Sequence, residues 1–300
     1  MSRLARVAAT HPRWLRVSLL AGALSLFTAA PAVADSVQSS NWAGYATHRS
    51  GVRFTRVVGT WRQPTARCVA GSPSFSSVWV GIGGFSINSQ ALEQIGSEVD
   101  CTSSGRMVSS AWYELVPAAS RTIHGMTVAP GDELTASVIV IGHRVRMQLR
   151  DLTRRTSFTR TLHAGLVDSS SAEWIVEAPS ECAGAGQCQT LDLANFGSAT
   201  FARAAATPAV GRTGSISDRR WRSTRITLAT GQRHFIGSAA GGAQASPSGL
   251  SSRGHSFTVR YRASSSVASK SRRLRRSAVY ASARVRPGGS RVRPGGARLR

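Results

Sequence analysis

Between residues 40 and 262 the chain is written in short β-forming runs and nowhere in a helical rhythm. "RVVGTWRQP", "SVWVGIGGF", "ALEQIGSEV", "SAWYELVP", "ELTASVIVIG", "RVRMQLRDL" and "HSFTVRYR" are rich in Val, Ile, Trp, Tyr or Phe. Gly, Pro, Ser and Asn punctuate them. No segment carries the 3.6-residue apolar spacing of a long amphipathic helix. "GDELTASVIVIGHRVRMQLRDL" reads as two strands turning at Gly142–His143. Many short strands with no strand–helix alternation predict an all-β fold, an antiparallel sandwich or barrel.

The two ends are of another kind. Arg3, Arg6, Arg13 and Arg16 precede an uncharged apolar run, Val17 to Ala30, and "AVA" (Ala32 to Ala34) follows before Asp35. A positive n-region, a short apolar core and an A-x-A site describe a secretory signal peptide over residues 1–34, so an extracellular protein is expected. The apolar run is short for a membrane span. Residues 263–300 hold ten Arg and Lys270, no acid, and the repeat "RVRPGGS", "RVRPGGA". With almost no large apolar residue, this tail is expected to be disordered; its charge suits an anionic polymer or surface. The chain carries +24 in all, of which +11 is in the tail and +4 in the signal peptide, leaving a basic domain of +9 over 35–262. A monomer is expected.

Export frames the four cysteines. An even number outside the cell predicts two disulfides, with three possible pairings. Cys182 and Cys188 flank a short Gly-rich loop, "CAGAGQC", and are paired here, leaving Cys68 with Cys101. No Cys-x-x-Cys spacing and no neighbouring His supports a zinc site, so no metal and no cofactor is expected.

"SAEWIVEAP", Ser171 to Pro179, poses the functional question. As a strand it places Ala172, Trp174 and Val176 on one face and Glu173, Ile175 and Glu177 on the other. Two carboxylates on one side of an apolar strand are unusual in a chain with 14 acids. In "ALEQIGSEVD", Leu92, Gln94, Gly96 and Glu98 share a face; in "SAWYELVP", Trp112 and Glu114 do. A solvated sheet face would explain any one of these acids alone.

Four segments in order resemble the glutamic peptidase (eqolisin) family. They are "SSNWAGYA" (Ser39 to Ala46), "VWVGIGG" (Val78 to Gly84) with "LEQIG" (Leu92 to Gly96), "AWYELVP" (Ala111 to Pro117) and "AEWIVE" (Ala172 to Glu177). "MTVAPGDEL" follows the third. The likeness spans residues 39 to 203 and is weaker at "SFTVRY". It implies a concave antiparallel β-sandwich, lectin-like or jelly-roll-like, of two large sheets. It also implies a catalytic dyad of Gln94 and Glu177, with Trp79, Glu114 and Trp112 in a groove that binds polypeptide. Glu173 has no catalytic counterpart and is expected to serve a local hydrogen bond or an arginine pair. The family commonly has Asp where this chain has Gly83, and fungal members work at low pH and carry a propeptide for which no room is left before "SSNWAGY".

The residue types fit peptide hydrolysis. An ionised Glu177 can take a proton from water and return one to the leaving amine. The Gln94 amide can donate to the developing oxyanion and orient the water. Two other readings remain at this point. A carbohydrate-binding or glycoside-hydrolysing sandwich is one, with Trp79 and Trp112 stacking on sugar and, for hydrolysis, Glu114 and Glu177 as the carboxyl pair. An inactive basic surface-binding homologue is the other.

Overall fold

The structure, a computed structural model, describes residues 35–182, 188–229 and 244–263. The expected signal peptide, the loop between Cys182 and Cys188, and the Arg-rich tail beyond residue 263 lie outside the described residues. No helix occurs among the described residues.

The strands follow the β-forming runs. They are β1 (Asp35–Ser39), β2 (Trp42–His48), β3 (Phe54–Arg62), β4 (Ser74–Gly83), β5 (Leu92–Cys101), β6 (Met107–Val116) and β7 (Arg121–Thr122). Next come β8 (Glu133–Ile141), β9 (Arg144–Asp151), β10 (Thr156–His163), β11 (Ser171–Glu177), β12 (Ser180–Cys182) and β13 (Cys188–Thr190). Last are β14 (Ser198–Pro208), β15 (Gly214–Ser215), β16 (Arg222–Leu228), β17 (Gln244–Pro247) and β18 (Phe257–Arg262). The β8–β9 hairpin turns where expected, with Gly142 at φ 57°. That left-handed backbone needs a residue without a Cβ penalty.

Sheet order is β10-β9-β8-β3-β14-β18-β17-β16-β2-β11-β4-β5-β6-β7, with β1 parallel to β16 and β15 beside β14; β12 and β13 form a separate ribbon. The two expected layers are thus two halves of one sheet, joined through β18, β17 and β16. The sheet curls so that β4, β5 and β11 pack on β3, β8 and β9. Between them lies the main core, which includes Trp61, Trp174, Val80, Ile95, Leu134, Met147 and Phe201. Closing one sheet on itself buries these side chains without a second set of exposed edges.

Cys68 and Cys101 are joined by a disulfide, as expected. Cys188 is also disulfide-bonded and stands opposite Cys182 in the β12–β13 register.

Candidate active site

The site is built on the reverse side of five neighbouring strands. In β11, Ala172, Trp174 and Val176 enter the main core, while Ile175 belongs to a second, smaller apolar cluster with Trp42, Ala46, Trp79, Leu92, Trp112 and Ile226. The period-2 alternation of the strands accounts for this division. Register then sets three rows across the groove face. One row is Trp42, Glu177, Ser77, Glu98, Ser110; the next is Gly44, Ile175, Trp79, Gly96, Trp112; the third is Ala46, Glu173, Gly81, Gln94, Glu114. Gln94, Glu177, Trp79, Glu114 and Trp112 therefore share one face. Gln94 and Glu177 sit diagonally on it, in the outer two rows, with Trp79 between them.

Glu177 is clamped. Asn41 Nδ2 donates to Oε1 at 3.0 Å and Trp79 Nε1 donates to Oε2 at 2.7 Å. The Trp42 indole stabilises the charged form as well. Burial and the neighbouring Glu114 carboxylate outweigh these donors and push the Glu177 pKa up to about 8. Gln94 Nε2 donates to Glu114 Oε2 at 2.5 Å, while Gln94 Oε1 is buried with no hydrogen-bond partner among the described residues. Burial raises the Glu114 pKa, and the Gln94 bond offsets part of that rise.

Asn41 and Trp42 were given no role by the sequence reading, although both lie in "SSNWAGYA". Ser39 Oγ accepts from the backbone N–H groups of Asn41 and Trp42 and donates to Asn41 Oδ1 at 3.1 Å. That leaves the Asn41 amide nitrogen facing Glu177. The local signal was the Ser-x-Asn pattern, a side chain that bonds backbone two and three residues on; its target 136 residues away was not local.

Two glycines shape the floor. A Cβ on Gly96 would lie 2.3 Å from the Val78 carbonyl oxygen and 2.6 Å from Trp79 Cβ. Trp79 can hold its bond to Glu177 only because Gly96 yields that space. Gly96→Ala is expected to displace Trp79 and lower kcat/KM by about tenfold or more, read in steady-state kinetics beside an unchanged β-rich circular dichroism spectrum. Gly83, the position at which the eqolisin likeness leads to an expected Asp, sits at φ 87°, and a Cβ there would lie 2.5 Å from the Asp168 carbonyl oxygen and 2.8 Å from Asp168 Cβ. The loop before β11 fills the place from which that Asp would project.

Of the two roles expected for Glu173, an arginine pair is absent among the described residues, while the Ser171 hydroxyl, two residues away, acts on it as a local hydrogen-bond donor. Glu173 is fully buried in the row of Gln94, and burial holds its pKa well above the usual carboxylate range, with only the Ser171 hydroxyl acting the other way. Among the described residues no group of three or more His, Cys, Asp or Glu is placed to hold a metal ion.

The sequence model of the Peptidase A4 family matches residues 40–237. The chain belongs to the peptidase A4 family. As a peptidase A4 member it is 28% identical over 167 residues to scytalidopepsin B of Scytalidium lignicola, covering 54% of this chain and 61% of that protein. The chain thus spans about three fifths of the length of that curated relative. Among solved structures, scytalido-glutamic peptidase with a transition state analog inhibitor superposes with a TM-score of 0.59 at 24% identity, over 74% of this chain and 98% of that one. SCP-B, described as a member of the eqolisin family in complex with the tripeptide Ala-Ile-His, gives 0.56 at 21%, with the same coverage. These two likenesses are of fold. They show that this peptidase A4 member shares the all-β fold of those two structures.

Proposed function

We propose that the protein is a secreted endopeptidase in which Glu177 and Gln94 hydrolyse peptide bonds without a metal. The observation that carries this reading is the asymmetry of the two side chains. Glu177 is held on both oxygens, whereas Gln94 is held by its nitrogen alone, with its oxygen and second N–H uncommitted. A water accepted by Gln94 Oε1 can lose its proton to ionised Glu177 as its oxygen attacks the scissile carbonyl carbon. The free Gln94 N–H can meet the oxyanion that forms. When the tetrahedral intermediate collapses, the C–N bond breaks and the Glu177 proton passes to the leaving amine, restoring the carboxylate. Glu114 fixes the Gln94 amide and so decides which of its ends faces the water.

A general base must be ionised, and here burial and Glu114 raise its pKa to about 8. In the free enzyme the competent fraction falls about tenfold for each pH unit below that value. The kcat/KM for an uncharged peptide is therefore expected to climb with unit slope from pH 5 and level near 8. A rate that is flat or falling over this range would sink the general-base role of Glu177. The direct test of the whole reading is digestion of an unstructured protein by the chain beginning at Asp35, with Gln94→Ala as control.

A further inference from the structure

"THRSGVRF", Thr47 to Phe54, puts His48, Arg49 and Arg53 around the turn from β2 to β3. In the fold this turn meets Phe85 and Ser86, after β4, Val167 to Ser170, before β11, and Ser171 at the start of β11; together they line an open cavity of about 560 Å³. The cavity belongs to the groove end. His48 and Ser171 are register partners on the groove face, one row beyond Glu173 and Gln94. Phe85 packs on the Trp42–Trp79–Ile175 cluster and stacks on His48, with ring centroids 4.8 Å apart.

The cavity is cationic. Arg53 Nε donates to Ser169 Oγ and Arg49 Nη1 to the Arg220 carbonyl, both at 3.1 Å, which leaves other N–H groups of each guanidinium free. No ion pair among the described residues involves either arginine. The one lining acid, Asp168, is committed to its own loops: Ser89 Oγ and the Gly84 N–H bond Oδ2, and the Ser170 N–H bonds Oδ1. The opposite corner of the same face carries Glu98 and Asp100. A line joining the two corners crosses the Gln94–Glu177 diagonal, so charge changes sign along the path that lies between the dyad groups.

We propose that this cavity is a subsite for an acidic side chain of the substrate, three to five residues from the scissile bond. The distance follows from the strand. The middle of the dyad lies in the row of Ile175, four residues or about 13 Å along β11 from Ser171. An extended peptide covers that distance in a few residues at about 3.3 Å each. The two exposed arginines supply charge-assisted hydrogen bonds to the carboxylate, and Phe85 supports its methylenes. The inference rests on the groove binding polypeptide, as proposed above.

The test uses nonapeptides carrying Glu, Gln or Lys at those positions on either side of a central bond. Their affinity for the Glu177→Gln protein is read by fluorescence anisotropy, and their cleavage by the unaltered protein is read in parallel. The Glu peptide of one side is expected to bind about three- to tenfold tighter than its Gln counterpart, with Lys weaker still, and high salt should narrow the gap. Arg49→Glu with Arg53→Glu should reverse the order; Arg150→Glu, the same charge change on remote β9, should not. Equal affinities, or an order unchanged in the double variant, would overturn the subsite, and cleavage would then leave the peptidase reading standing. A charge preference in binding with no cleavage would do the opposite. Binding of none of the peptides would end both.

Discussion

Glu177→Gln is expected to lower kcat by at least about 10³ while leaving the fold intact. The substituted amide keeps the volume and an oxygen for Trp79 or Asn41, and it removes a carboxyl whose ionisation the fold opposes, since burial pushes the pKa to about 8. Stability should therefore be equal or higher, and the loss should fall on chemistry alone. Gln94→Ala should cost about 10²–10³ by removing the oxyanion donor and the water acceptor together. It also leaves Glu114 without the bond from Gln94 Nε2. The double variant should be little worse than either single one, because in the proposed mechanism the two groups act in one step. Glu114→Gln separates this chemistry from a sugar-cleaving carboxyl pair. An amide at 114 can still accept from Gln94, so the peptidase should keep most of its rate, whereas a two-acid glycosidase should lose all of it. Rates on one unstructured protein and one β-glucan, measured for the four variants, decide between the two. Undiminished proteolysis in Glu177→Gln would remove the dyad from the mechanism.

Much of this arrangement was legible because β-strands alternate. The faces read for "SAEWIVE" and "LEQIGSEV" are the faces found, since alternation is a local property and both strands are regular. What pairs with what is not local. Nothing in "SAEWIVE" says that Gln94 shares a row with Glu173 while Glu177 lies opposite Trp42 and Ser77. That depends on how β4 is threaded between β11 and β5. The role of Asn41 depends on the same pairing. So does the closure of two layers into one sheet, which is made by β16 and β17, short strands with few large apolar residues. The Gly83 position shows a further limit. The missing family carboxylate was visible in the sequence, but the Asp168 loop that fills its place was not, because that loop comes from 85 residues further on. For Glu173 the sequence left a local hydrogen bond and an arginine pair open; the sheet buries this carboxyl beside Ser171, and among the described residues no arginine pairs with it.

That burial predicts how the protein responds to pH. Glu93 is 1% exposed, its Oε2 has no hydrogen-bond partner among the described residues, and burial with the nearby Asp168 charge raises its pKa from 4.5 to about 8. Burial likewise raises Asp100, beside Glu98, to about 7, and holds Glu173 well above its usual range. Below their unfolded values, 4.5 for the two glutamates and 3.8 for Asp100, these groups are protonated in both folded and unfolded chains and cost the fold nothing. Above those values, up to about 7 for Asp100 and about 8 for Glu93, the unfolded chain releases protons that the folded chain retains. Each such group then removes about 1.4 kcal/mol per pH unit, until the folded form ionises too. For Glu93 alone the loss approaches about 5 kcal/mol, comparable with the whole stability of a typical domain. Asp132, Asp168 and Asp218 work the other way, since hydrogen bonds to arginine, serine and backbone lower their pKa values; their contribution is lost only as pH falls through those lowered values. The maximum should therefore lie near pH 4–5, although the positive charge of the chain grows there. A melting temperature at pH 5 at least about 10 °C above that at pH 8 is the expected result by calorimetry in 0.15 M salt. Glu93→Gln should reduce the slope by about one proton's worth. A melting temperature that is constant or rising from pH 5 to 8 would show that these carboxyls find partners in solution. If the prediction holds, the domain is most stable in acid while its proposed base is best ionised near pH 8. Burial raises the pKa of Glu177 as it raises that of Glu93, so the desolvation that would strengthen the proposed base also limits the pH at which the fold could use it.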